Sequence, residues 1–215
     1  MRHTRREVAT AALGALVASS GCLGFVTGEE SLSFESDPAL AEESVAEETG
    51  YELDGTEAKT ITREFSAAGQ TRNVEATNQI STYEKTLSMS LLGEQKLGVF
   101  AAISSPAVEI AGRTFNPLKD DSNEDLVQML TSQYDGLSNV SEESSQTLTV
   151  LGTDTEVTKY AATSNVEGEQ IDVFVHVTKV RNEDDFVIAL GVYPQQLSGE
   201  ESNIVSLFES VQHPA

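Results

Sequence analysis

One imidazole stands in the interior of this chain, His176 in "QIDVFVHVTKV"; His3 lies near the start and His213 two residues from the end. Serines are plentiful, so His176 could in principle be the base of a Ser-His-Asp hydrolase. No G-x-S-x-G elbow accompanies it. It alternates with Phe174 and Asp172 along a β-like stretch, the setting of a half-buried histidine held by hydrogen bonds. A single interior imidazole also argues against a histidine-rich metal site.

"GRTFNPL" is the second stretch with chemistry in it. Arg113, Phe115 and Asn116 precede Pro117, and a guanidinium and an amide beside an aromatic ring can hold an anionic small molecule. The plainer expectation is that Arg113 pairs with local carboxylates and Phe115 closes a sheet edge. Arg113, Asn116 and His176 are therefore candidate ligand-binding residues.

"DDSNED" spaces Asp121, Asn123 and Asp125 as a calcium loop would. Leu126 stands where that loop needs glycine, however, and Ser132 where it needs a bidentate glutamate, so a capped helix start explains the same residues better. "NEDD" reads as a solvated hairpin turn, and "GEQKLG" lacks the spacing of a phosphate loop. Asn139-Val140-Ser141 is a candidate N-glycosylation acceptor in a polar loop. No cofactor and no metal site is expected.

The lone thiol, Cys22, follows a segment of three chemistries. Arg2, Arg5 and Arg6 are basic, Val8 to Ala18 is an apolar run of eleven residues, and Ser19-Ser20-Gly21 is small. A spanning helix needs ~20 apolar residues, so the run is too short to cross a bilayer. Basic, short apolar and small is the order of a cleavable export signal, and Arg5-Arg6 resembles the twin-arginine type. "SSGC" looks like a lipobox, with Ser19 where leucine is usual. A two-chain lipid on Cys22 holds a protein stably at a membrane where a single chain does not. The expected organisation is an export signal at 1–21, a lipidated tether at 22–35 and a single domain at 36–215, attached to the extracytoplasmic face of the cell membrane.

Charge narrows the partners. The chain carries 13 Lys+Arg against 35 Asp+Glu, a net of −22. Removing residues 1–21 takes away Arg2, Arg5, Arg6 and Glu7, leaving 10 bases against 34 acids, or −24. Such a surface repels nucleic acid phosphates, and anionic lipid head groups as well, so no nucleic acid is expected as a partner. It fits a halophilic host: at ~1 M salt the screening length is ~3 Å, and like charges scarcely interact.

Several elements must position these residues. Asp37-Pro38 starts a helix through "PALAEESVAEET" that stops at Gly50. "EAKTITREF" and "TRNVEATNQIST" form a hairpin around "SAAGQ", "KLGVFAAIS" is a covered central strand, and "AVEIAG" continues the sheet after Pro106. "DSNEDLVQMLTSQYDG" is a helix capped by Ser122 and Asp125, with Leu126, Met129, Leu130 and Tyr134 on one face. "QTLTVLG", "TEVTKYAAT", "QIDVFVHVTKV" and "DFVIALGVY" are strands, and Ile171, Val173, Val175 and Val177 share a face. A last helix buries Ile204, Leu207, Phe208 and Val211. The fold class is α+β, a mostly antiparallel sheet with about three helices packed on it.

This ending is similar to the PsbP-type fold, in which a C-terminal helix lies across the sheet. The double arginine, "SSGCLG", "FSAAGQTRNVEATN", "GRTFNPL", "VFVHV" and "IALGVYPQ" together resemble a family of haloarchaeal exported lipoproteins with no assigned function. That resemblance implies membrane attachment and a saline habitat, and brings no active site. The functional expectation is a non-enzymatic surface module that binds a ligand or a membrane or surface protein. An extracytoplasmic hydrolase using His176 and an envelope structural component are the alternatives.

Overall fold

The computed structural model describes residues 31–215 apart from 68–69, 90–92, 111, 134–135 and 167. The first half runs β1 (Leu32–Glu35), β2 (Leu40–Ala41), α1 (Glu43–Thr49), β3 (Glu52–Ala67), β4 (Gln70–Met89) and β5 (Gly93–Pro106). A small hairpin, β6 (Glu109–Ile110) and β7 (Arg113–Thr114), leads through a 3-10 turn (Pro117–Lys119) to α2 (Asn123–Gln133). Then come β8 (Leu137–Val150), β9 (Thr153–Val166), β10 (Glu169–Asn182), β11 (Asp185–Pro194), α3 (Glu200–Glu209) and β12 (Val211–Gln212).

Short turns between alternating strands favour antiparallel neighbours, and the chain makes two such meanders. β3-β4-β5 is one and β8-β9-β10-β11 the other; β11 docks antiparallel on β5 and joins them into one sheet. β1 adds in parallel to the edge of β4 at residues 74–77, while β5 takes the same edge from residue 79 onward. The expected mostly antiparallel α+β architecture is what the chain adopts.

Both faces of the inner strands are covered, because these strands are apolar on both sides. On one face Phe100, Val187, Ala189 and Tyr193 pack under α3, whose Ile204, Leu207 and Phe208 are fully buried. Each such side chain contributes ~1.5–3 kcal/mol by leaving water. On the other face Val173, Val175 and Val177 meet Leu126 and Val127 of α2. α2 starts as expected: Ser122 Oγ accepts from the Asp125 N–H at 3.2 Å, and the Asp125 carboxylate accepts from the Ser122 N–H at 2.8 Å. The Asp125 carboxyl is held below its usual pKa by the hydrogen bonds it accepts from the Ser122 hydroxyl, at 2.6 Å, and from the Ser122 N–H.

Four expectations need correction. The first helix starts at Glu43, not at Pro38, because Leu40 and Ala41 pair with Gln212 and Val211 near the other end of the chain. Its stop at Gly50, in the left-handed region at φ 78°, is as expected. "AVEIAG" leaves the main sheet: Ala107 N–H is taken by the Asp184 carbonyl and Val108 turns the chain at φ 53°. Residues Leu32–Glu35, expected in the tether, form β1. Asn139 sits not in a loop but within β8, at φ 53° where the register with β9 is broken between Ser138 and Ser141. It is exposed there. The export signal at 1–21, with Arg5 and Arg6, and Cys22 lie outside the described residues.

Candidate functional site: an apolar groove beside α2

The candidate residues read from sequence do not converge. His176 lies on the α3 side of the sheet, 1 % exposed, its ring stacked on Tyr193 with centroids 5.6 Å apart. Nε2 is 3.1 Å from the Tyr193 hydroxyl. Burial pulls the imidazole pKa down to about 4, and the Tyr193 hydroxyl is pushed up by the same cause. Lys159 and Glu201 flank the ring electrostatically and pull in opposite directions. The imidazole is thus neutral and enclosed; among the described residues its hydrogen-bond partner is Tyr193.

Arg113 and Asn116 are on the α2 side. Arg113 is exposed on β7. Asn116 is buried and fully used: its amide donates to Ser105 Oγ and the Pro106 carbonyl, both at 2.7 Å, and its Oδ1 accepts from Leu118 N–H at 2.9 Å. It therefore caps the 3-10 turn and ties the loop that carries Phe115 and Leu118 to the end of β5. Its role here is positioning.

What it positions is one wall of a groove of about 500 Å³, within the ~300–1,000 Å³ of small-molecule sites. The floor is the sheet, with Ala76 and Ile80 of β4, Ile103 of β5, and Ile188 and Leu190 of β11. One wall is Leu126, Met129 and Leu130 of α2; the loop after β5 contributes Val108, Phe115 and Leu118. At the outer edge β3 presents Lys59, Ile61 and Arg63, which alternate onto the same face. The outer part of the sheet is open because α2 is too short to cover it.

Exposure marks the groove independently. Among the described residues four large hydrophobic side chains are exposed, and three of them line it: Ile61 at 40 %, Phe115 at 39 % and Met129 at 39 %. Clustered apolar exposure of this kind marks binding surfaces on monomers. The sequence contained a signal for it. Met129 belongs to the expected apolar face of α2, and Ile61 sits between two bases, Lys59 and Arg63, at strand spacing.

His213, two residues from the end of the sequence, has a side chain only 4 % exposed, with Nε2 3.0 Å from Asp185 Oδ2 and Nδ1 3.2 Å from the Pro38 carbonyl. Burial raises the Asp185 pKa while His213 opposes that shift. With both ring nitrogens engaged, the pair fastens the C-terminal segment to the start of the domain.

A mostly antiparallel sheet with helices on both faces and an apolar groove beside α2 defines the class: an α+β domain. Residues 38–212 match the family described as a domain of unknown function, DUF6517, and the chain belongs to it. No curated protein matches the chain.

Proposed function

We propose that this chain is a lipid-anchored protein of the extracytoplasmic membrane face, and that its domain is a non-enzymatic binding module using the groove. The groove carries the binding part of this reading, since Ile61, Phe115 and Met129 are exposed along it and a fully bonded Asn116 fixes the loop that carries Phe115. Arg5-Arg6 as a twin-arginine signal and Cys22 as the lipid site carry the location, and the net charge of −22 supports a halophilic setting. The finer likeness of the fold to PsbP-type proteins belongs to the same reading, supported by α3 lying across the sheet after the last hairpin. A membrane or surface protein is the natural donor or receiver of whatever the groove holds.

Two measurements test the halves separately. Cys22→Ser should move the protein from the membrane fraction to the soluble exported fraction; retention at the membrane overturns the anchor. A diazirine-bearing residue placed at position 129 in native cells should photo-crosslink to a bound molecule. A chain that gives no adduct has an empty groove in its own environment, which overturns the binding module.

A further inference from the structure

Resting on that reading, the geometry points to one ligand class for the groove: a single-chain anionic amphiphile, its apolar tail along the sheet and its acidic head on Lys59 and Arg63. The apolar half follows from the floor and walls already described. The charged half follows from an imbalance. In a chain with 35 carboxylates, Lys85, Lys96, Lys159 and Arg181 all pair with one, whereas among the described residues Lys59 and Arg63 have no ion-pair partner; Arg113 and Lys119 have none either, but they are not among the residues lining the groove. Lys59 and Arg63 are both exposed and both face the groove from β3, on either side of Ile61.

Two carboxylates also reach the lining, Glu64 and Asp121. Asp121 is on the α2 side, where the Lys179 ammonium donates to its backbone carbonyl and to that of Leu118. The Lys179 ammonium lies close enough to counter the Asp121 charge; Glu64 offsets one of the two bases on β3, which leaves one positive charge there for a ligand. The cations open to a ligand are the two on β3, next to the exposed apolar side chains, and this pairing selects an apolar chain with an acidic end. A neutral hydrophobe would leave them unused, and a cationic amphiphile would be repelled.

The occupant is a free amphiphile: the lipid read onto Cys22 has two chains, carries a thioether in place of an acidic head, and is held in the bilayer.

The test uses the full chain carrying Cys22→Ser, titrated at high salt with dodecanoate, dodecanol and dodecyltrimethylammonium and followed by calorimetry. Dodecanoate should bind about tenfold more tightly than either of the others, the discrimination of one charge-assisted contact. Met129→Glu and Ile61→Glu, both at exposed positions, should abolish binding while leaving circular dichroism unchanged. Lys59→Gln with Arg63→Gln should erase the preference for dodecanoate over dodecanol and keep the latter's affinity. Absence of dodecanoate binding, equal affinity for the cationic probe, or binding that survives both glutamate variants would overturn the assignment. An adduct at position 129 together with any of these results would leave the binding module standing and discard only its ligand class.

Discussion

A neutral imidazole 1 % exposed, stacked on a tyrosine and flanked by Lys159 and Glu201, gives the fold a pH dependence whose sign can be worked out. Burial lowers the folded-state pKa of His176 from the ordinary 6.5 to about 4. Between those values the unfolded chain binds the proton and the folded chain does not, so acidification favours unfolding. The stability lost through this group grows as pH falls through 6.5 and levels off below about 4, reaching ~3 kcal/mol at most. Protonation of the many carboxylates acts at the same time, so a variant must isolate the effect. His176→Gln keeps a polar partner for Tyr193 and does not titrate. Denaturant unfolding of both proteins at pH 7 and pH 4.5 should show wild type losing stability relative to the variant by a few kcal/mol; parallel pH profiles would contradict it. The same burial explains why His176, visible in sequence as the lone interior imidazole, is unsuited to proton transfer with a substrate.

At the scale of elements, α3 reaches the sheet only where the sheet lets it. Gly191 faces Ile204, and a Cβ on it would stand 2.6 Å from Ile204 Cγ2. Gly191→Ala should therefore cost ~1–3 kcal/mol by overpacking. Ile204→Ala removes the clashing atoms, so the double variant should cost less than the sum of the two singles. Strict additivity in urea unfolding would show that α3 does not approach as described. Much of this arrangement was readable beforehand. The strands, their alternating faces, the capped α2 and the apolar stripe of α3 all follow from local pattern, because each element's own sequence determines its buried side. What pattern could not give were the contacts between distant segments. Leu40–Ala41 read as helix because their strand partners, Val211 and Gln212, lie near the other end of the chain. Whether the candidate residues Arg113, Asn116 and His176 converge was open in the sequence, because spacing says nothing about which face of the sheet each occupies. The groove escaped for the same reason, since its floor comes from three strands and its walls from α2 and the loop after β5.

Taken as a whole, the molecule concentrates its apolar burial in two layers and spreads acid over the rest. Edge strand β8 is exposed along most of its length and carries Glu142 and Glu143; Glu156 lies on the adjacent β9. Charge on an edge of this kind discourages strand addition by another chain, but it also adds to the self-repulsion of a chain at −22. Screening decides the balance: the Debye length is ~3 Å at 1 M salt and ~10 Å at 0.1 M, so dilution lets neighbouring carboxylates act on one another. The thermal midpoint should fall steadily as sodium chloride is reduced from 3 M to 0.1 M. Salt also strengthens apolar burial, so the contribution of charge has to be separated. Glu142→Gln, Glu143→Gln and Glu156→Gln together remove three exposed charges with little change of shape, and should flatten the salt dependence while raising the midpoint most at 0.1 M. An identical slope in the triple variant would assign the salt effect to burial alone, and a midpoint unchanged across the range would remove the case for a saline habitat.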